Sequence, residues 1–385
     1  MTDPLPIAQD LIRCRSVTPL DDGALDVVQR FLERLGFQCS RLVFGPDDYR
    51  VDNLWAQKGT GSPHFMYCGH TDVVPPGDPA HWTGGDPFAA EVRDGWLYGR
   101  GSNDMKGGVA AFLAGLKDYL ASHPDHPGTI SVLITGDEEA RSVDGVARVM
   151  PWLAERGLIP DMALVGEPSS FRRVGDVVRI GRRGSLTAHV TVHGKQGHSA
   201  APQNADNPIH RTLAALAPLL AAPLDTGTPH MPPSTLQVTG LDVGNTASNV
   251  IPAQARAMIN IRFNNLHTRE SLTERLHAAF TAAGCRYELA AESNADPFLT
   301  EPGPFVDALV RAIRRTTGEE PELNAGGGTS DARFIRAYCP VAEFGDVGGS
   351  GHQVDERCSV ENLRQLAGVY AAILEECLTP MGTTA

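Results

Sequence analysis

Hydrophobic and polar positions along this chain follow two rhythms, which exchange near residue 181 and again near residue 293. Before the first change, helical periods alternate with short apolar runs. Ile7–Ile12 and Ala24–Leu35 carry apolar residues at helical spacing and predict amphipathic helices, the second closed by Gly36. His64–Cys68, Ile130–Thr135 and Met162–Val165 are apolar runs too short for helices and predict buried strands, with Trp96–Tyr98 a briefer one. Helices are expected at Gly107–Leu120, ended by His123-Pro124, and at Val146–Arg156. This alternation predicts a largely parallel sheet sandwiched between helices.

After Gly181-Arg182-Arg183-Gly184 the period becomes two. Leu186, Ala188, Val190 and Val192 alternate with Thr187, His189, Thr191 and His193, as in a half-buried strand. A helix near Pro208–Leu220, strands near Thr235–Leu241 and Ala255–Phe263, a helix at Arg269–Ala283 and a strand at Arg286–Ala290 complete the order βαββαβ of a ferredoxin-like unit. Gly/Pro-rich stretches at Gly181–Gly184 and Asp296–Pro304 mark this unit as an insertion. The α/β character then resumes with helix Phe305–Thr317, glycine-rich loop Asn324–Asp331, strand Val341–Phe344, loop Gly345–Asp355 and helix Ser359–Leu378, for which Ser359 is the N-cap. The expected organisation is one α/β domain in two pieces, residues 1–180 and 293–385, interrupted by a second domain at 181–292.

Composition narrows the function classes without choosing one. The 385 residues, 42% hydrophobic and 21% charged, are those of an ordinary soluble globular protein. No apolar run reaches the roughly 18 residues of a membrane span, and Met1-Thr2-Asp3-Pro4 lacks a signal pattern. Seven cysteines without a CxxC pair argue for reduced core thiols in a cytoplasmic protein. A formal net charge of −13 argues against nonspecific binding to nucleic acid or anionic lipid.

The chemistry lies at the ends of the apolar strands, where open α/β sheets place their ligands. His64–Cys68 runs into Gly69-His70-Thr71-Asp72, Ile130–Thr135 into Asp137-Glu138-Glu139, and Met162–Val165 into Gly166-Glu167. Gathering such side chains is costly without a metal ion. In extended backbone, His70 and Asp72 share a side, so that Asp72 can hold one imidazole nitrogen while the other binds metal. Adjacent carboxylates in extended backbone point oppositely, so one of Glu138 and Glu139 can ligate while the other handles protons. Each motif alone also fits a solvated turn or a capped strand end. Taken together, His70, Asp104, Glu139, Glu167 and His352 suit a pair of zinc ions sharing a carboxylate bridge.

In order and spacing these motifs closely resemble the dinuclear-zinc amidohydrolases of the aminoacylase-type metallopeptidases, which include succinyl-diaminopimelate desuccinylases, acetylornithine deacetylases and glutamate carboxypeptidases. The most specific stretches are Gly69–Pro75, Gly99–Gly108, Thr135–Glu139 and Val165–Pro168. Ala8–Arg13, Ser16–Pro19, Gly181–Ser185 and Gly327–Ile335 are similar to the desuccinylase branch. The resemblance implies a zinc-peptidase-like α/β/α catalytic domain with an inserted ferredoxin-like lid and dimerisation domain. It implies that His70 and Glu167 hold one zinc, Glu139 and His352 the other, and that Asp104, followed by a cis peptide bond, bridges them. Glu138 becomes the general base and Asp72 the residue that orients His70. His198 on the lid, with Asn249 nearby, is expected to reach the partner subunit's active site and stabilise the oxyanion.

The implied reaction is hydrolysis of N-succinyl-LL-2,6-diaminopimelate to succinate and LL-2,6-diaminopimelate, in lysine and diaminopimelate biosynthesis, with Co2+ or Mn2+ able to replace zinc. Such a substrate carries three carboxylates. Arg182, Arg183 and Arg262, whose guanidinium forks match carboxylates, and Ser185, Gly328, Thr329 and Ser330 are expected to bind them. Two departures from the desuccinylase pattern bear on acyl recognition: Ala201-Pro202-Gln203 lacks an aromatic before proline and a histidine after it, and Gly348-Gly349-Ser350-Gly351 is unusually small. The alternatives are an acetylornithine deacetylase or other N-acyl amino acid hydrolase, and an inactive binding module on the same fold.

Overall fold

The computed structural model describes residues 1–379. Two compact units partition the chain: the first comprises Met1–Ile180, Thr300–Asn324 and the residues from Ser330 on, the second Gly181–Leu299 and Ala325–Thr329.

The first unit is built on an eight-stranded sheet. At its centre His64–His70, Thr129–Thr135 and Met162–Val165 run parallel, with His70 opposite Thr135 and Cys68 opposite Val165. Every residue of the first two strands is buried, which explains why they read as mainly apolar runs rather than alternating ones. Val341–Glu343 continues the parallel run beside Met162–Val165. The sheet as a whole is mixed rather than largely parallel. Gln38–Phe44 and Val51–Gly59 form an antiparallel hairpin that pairs against Thr129–Thr135, and their irregular alternation concealed them in the sequence.

Helix Gly107–Ser122 and helix Val360–Leu378 are largely buried, the second capped by the Ser359 hydroxyl, which accepts from the Asn362 amide. Gly115 lets the two approach, since a β-carbon there would lie 2.4 Å from the Ala367 carbonyl. Between them and the sheet, Tyr67 stacks on Phe112 with ring centroids 3.8 Å apart, and Tyr370 meets both edge-on. This aromatic layer gives the strand ends above it a rigid base. Among the described residues no helix is long and apolar enough to cross a membrane, and all seven cysteines are free.

The second unit has a four-stranded antiparallel sheet in the spatial order Thr235–Asp242, Gln254–Phe263, Gly184–His193, Arg286–Ala295. With helices Pro208–Leu220 and Arg269–Ala282 this is the ferredoxin-like order. Leu186, Ala188, Val190 and Val192 face a core completed by Leu216, Leu219, Leu272, Leu276 and Phe280 from the helices. The last strand runs five residues beyond the expected Ala290, because its alternation continues to pair with Gly184–His193.

A polar knot ties the loops of this unit. Asp225 accepts from the amides of Gly227 (2.7 Å) and Ser234 (3.2 Å) and from Asn264 Nδ2 (2.7 Å), and pairs with His267 Nε2 at 3.0 Å. Burial pushes its carboxyl up, but the bonds from Ser234, Gly227 and Asn264 outweigh this and hold it at about 2, below the ordinary 3.8. A depressed folded-state pKa stabilises above the unfolded value and ceases to do so as pH falls through the folded value. Asp225→Ala is therefore expected to cost this unit about 2 kcal/mol near neutral pH, with the deficit shrinking between about pH 4 and pH 2. Urea midpoints measured at both ends of that window check it; a pH-independent deficit would contradict the assignment.

Candidate metal centre

Parallel register brings three strand ends together, and four loops complete the site, all within the first unit. His70 ends its strand, and the Thr71 amide donates to the Thr135 carbonyl at 3.1 Å. Asp104 sits in the irregular turn Ser102–Lys106 at φ −123° and ψ 98°, and the Asp104–Met105 peptide bond is cis. Glu167 lies two residues past Met162–Val165. Glu138 and Glu139 occupy a turn after Thr129–Thr135, not the extended backbone expected of them. His352 follows the glycine-rich loop with a left-handed φ of +65°.

Asp104 faces both histidines. Its Oδ1 lies 3.2 Å from His70 Nε2, and its Oδ2 lies 3.5 Å from His352 Nε2. Glu167 Oε1 stands 3.7 Å from His70 Nε2, and Glu139 Oε1 stands 2.9 Å from His352 Nε2. The five side chains thus form two clusters sharing Asp104. Ligand-type atoms of His70, Glu138 and Glu167 lie within 4.8 Å of one another, as do those of His70, Asp104 and Glu139.

The structure revises one geometric expectation. His70 Nδ1 is held at 2.9 Å by the main-chain carbonyl of Asp72, while the Asp72 carboxylate is 3.6 Å away. That carboxylate instead accepts from the amides of Glu138 (3.3 Å) and Glu139 (3.1 Å). Asp72 therefore fixes the imidazole with its backbone and the diacid turn with its side chain.

Three buried residues in these loops had no role assigned from the sequence, because most of their partners are main-chain atoms. Lys106 Nζ donates to the Cys14 carbonyl at 2.7 Å. The Ser16 hydroxyl donates to the Thr71 carbonyl at 2.6 Å, and the Val73 amide to the Ser16 carbonyl at 3.0 Å. The N-terminal segment is thereby stitched under the His70 loop. The third residue, Glu356, accepts from the Asn103 and Asp104 amides. The signal available was Arg100 within Gly99–Gly108, a cation that burial obliges to find an acid.

The electrostatics call for added positive charge. Burial pushes Glu138 up to about 8, reinforced by Asp331, Glu139 and Asp104 and opposed by His70. Glu167 is held well above the usual carboxylate range by burial and by Asp104 and Glu138. Burial works against a charge on His70, but the hydrogen bond it donates to Asp104 and the charges of Glu167 and Asp72 outweigh it and raise the imidazole well above its ordinary value. His352 is raised first by its bond to Glu139. The crowd of acids with two histidines between them, in an all N/O donor set, fits divalent cations such as zinc.

The remaining expected residues lie in the second unit, except Ser330, which belongs to the first and is buried with its hydroxyl donating to the Glu343 carboxylate. Gly197–His198 pairs with Val250–Ile251, and the Ser199 amide donates to the Asn249 carbonyl at 2.9 Å, so exposed His198 and Asn249 are neighbours. Ser185 and Arg262 are cross-strand partners. Arg182 Nη1 donates to the Gly328 carbonyl at 2.8 Å, next to Thr329. Burial and then the charge of Arg262 push Arg183 down.

Similarity to known proteins follows the same lines. The chain is 53% identical over 374 residues to succinyl-diaminopimelate desuccinylase of Rhodospirillum centenum, spanning 97% of each chain. It is 51% identical over 376 residues to that of Caulobacter vibrioides, covering 97% and 95%. Among solved structures, aminopeptidase PepT from Bacillus cereus superposes with a TM-score of 0.77 at 20% identity, covering 97% and 98%. A dinuclear metal-binding peptidase from Bacillus subtilis gives 0.66 at 14% identity over 96% of each. These last two establish the fold. The model of "Peptidase family M20/M25/M40" matches residues 66–376, and the chain belongs to that family.

Proposed function

We propose that this protein hydrolyses N-succinyl-LL-2,6-diaminopimelate to succinate and LL-2,6-diaminopimelate, with two zinc ions per subunit and Co2+ or Mn2+ as substitutes. The observation that carries the reading is Asp104 set between two histidines, each with its own glutamate, in a chain half identical to desuccinylases over nearly its full length. His70 and Glu167 would hold one ion, Glu139 and His352 the other, and Asp104 both. The ions, when bound, supply the Lewis acidity that polarises the scissile amide and acidifies the attacking water.

The protein's own groups do the rest. With both clusters complete, Glu138 is the carboxylate left to accept the water proton and return it to the leaving amine. Asp72 holds the turn that aims it. His198 Nδ1 accepts from the Ala200 amide at 3.0 Å, which leaves Nε2 to carry the proton and donate to a developing oxyanion in the active site of the partner subunit. Arg182, Arg183 and Arg262, with Ser185, Asn249, Gly328 and Thr329, form the anion-binding set for the substrate carboxylates.

We further read the protein as a cytoplasmic homodimer joined through the second unit. Thr235–Asp242 is an edge strand of its sheet that exposes Leu241, and helix Pro208–Leu220 exposes Leu213 and Leu220, apolar surface suited to pairing with a second copy.

The test is a zinc-reconstituted assay across N-acyl diamino acids. N-succinyl-LL-diaminopimelate is expected to exceed N-acetylornithine in kcat/KM by about 100-fold or more, because the acetyl compound lacks the further carboxylates that the arginine set would bind. Preference for the acetyl substrate would replace this reading with the deacetylase, and metal binding without turnover of any substrate would leave a binding module.

A further inference from the structure

We infer that the buried Arg100–Glu356 ion pair is the positioning element of the second metal position, the one flanked by Asp104, Glu139 and His352, and that it sets that position's affinity separately from the one flanked by His70 and Glu167. The inference rests on the two-ion reading above.

Glu356 is fully buried and Arg100 is 2% exposed. One Glu356 oxygen accepts from the amides of Asn103 and Asp104, both at 3.0 Å, and the other binds the Arg100 guanidinium. The Glu356 carbonyl accepts from the Gly99 amide at 2.9 Å. Arg100 then reaches across to the second loop, donating from Nη1 to the Gln353 carbonyl (3.2 Å) and from Nη2 to the His352 carbonyl (3.3 Å). A single ion pair therefore grips the backbone on the amide side of Asp104 and on the carbonyl side of His352. A fork of donors is needed for this, since a lysine point charge would not serve both carbonyls and the carboxylate together.

The two metal positions depend on this grip unequally. His70 ends a strand flanked by two others, and Glu167 follows a strand held in the same sheet. His352 has no such support: it follows Gly348-Gly349-Ser350-Gly351, adopts a left-handed backbone, and its side chain is half exposed. Asp104 retains a second tether at His70, 3.2 Å away, when Glu356 lets go. Burying two charges is costly, and a hydrophobic pair would often be at least as stable. What such a pair adds is fixed geometry between the Asp104 turn and the His352 loop, beyond the pairing of Trp96–Tyr98 with Arg357–Ser359 at their far ends.

The experiment is zinc titration of metal-stripped Glu356→Gln and Arg100→Lys against a competing chelator, with folding followed by circular dichroism. Gln keeps an acceptor for the Asn103 and Asp104 amides but removes the charge that holds Arg100. Lys leaves Glu356 paired but gives up the two carbonyls. In each variant the first zinc equivalent is expected to bind within about threefold of the wild type and the second to weaken about 10- to 100-fold. Equal weakening of both equivalents, no weakening of either, or failure of both variants to fold would overturn the inference and leave the pair a general stabiliser. Fewer than two equivalents on the wild-type protein would instead overturn the two-ion reading.

Discussion

Glu138→Gln is expected to lower turnover about a thousandfold while the protein keeps its zinc and its fold. General acid–base catalysis by one positioned group contributes about 10²- to 10⁴-fold, and Glu138 is asked to act twice, taking the proton from water and delivering it to the amine. Gln matches its shape and keeps the amide that donates to Asp72, so the turn should hold and Glu139 should stay beside His352. The substitution also separates two roles that geometry leaves close, since ligand-type atoms of Glu138, His70 and Glu167 lie within 4.8 Å of one another. Metal analysis beside steady-state kinetics decides. Lost zinc would make Glu138 a ligand, and an unchanged rate would remove it from the chemistry.

Gly166→Ala is expected to damage both the fold and the metal centre. A β-carbon at this position would fall 2.0 Å from the Tyr67 hydroxyl, 2.6 Å from its Cζ and 2.7 Å from Met105 Cε. None can yield cheaply. Tyr67 is fully buried in the stack with Phe112 and Tyr370, and Met105 is buried beside Asp104. The Gly166 amide is tied to the Cys68 carbonyl at 2.9 Å, so the backbone cannot retreat without opening the sheet. Overpacking of this kind costs about 3 kcal/mol, and the strain falls on Glu167 next in the chain. A lowered thermal midpoint together with lost zinc is the expected result. Adding Tyr67→Phe, which removes the 2.0 Å contact alone, should restore part of the stability. A variant as stable and as zinc-replete as the parent would refute the steric account.

Much of this architecture was legible because burial writes itself into sequence. The three central strands are mostly apolar, and a run that changes abruptly into acids and histidines marks the end of a buried strand. The period-two segment after Gly184 was equally plain, since one face of its sheet is packed and the other wet. The hairpin Gln38–Gly59 was not, because an edge pairing mixes exposed and buried positions irregularly. At the site, residue types and strand ends indicated the ligand set, but not how it is held. The Asp72 carboxylate grips a turn rather than the imidazole, and the acid partner of Arg100 lies 256 residues away. Contacts to main-chain atoms leave no compositional trace, and only folding reveals them.

The stitching of the N-terminal segment has a practical consequence. Cys14 and Ser16 supply the carbonyls that satisfy Lys106 and the Val73 amide, and the Ser16 hydroxyl caps the carbonyl of Thr71. Cys14 and Ser16 are thus part of the foundation of the histidine loop. A protease nick or a trimmed variant beginning near Thr18 would leave a buried ammonium and an amide without acceptors, and the damage would register at a cluster of acids far along the chain. Tags placed ahead of the fully exposed Met1 leave that foundation intact.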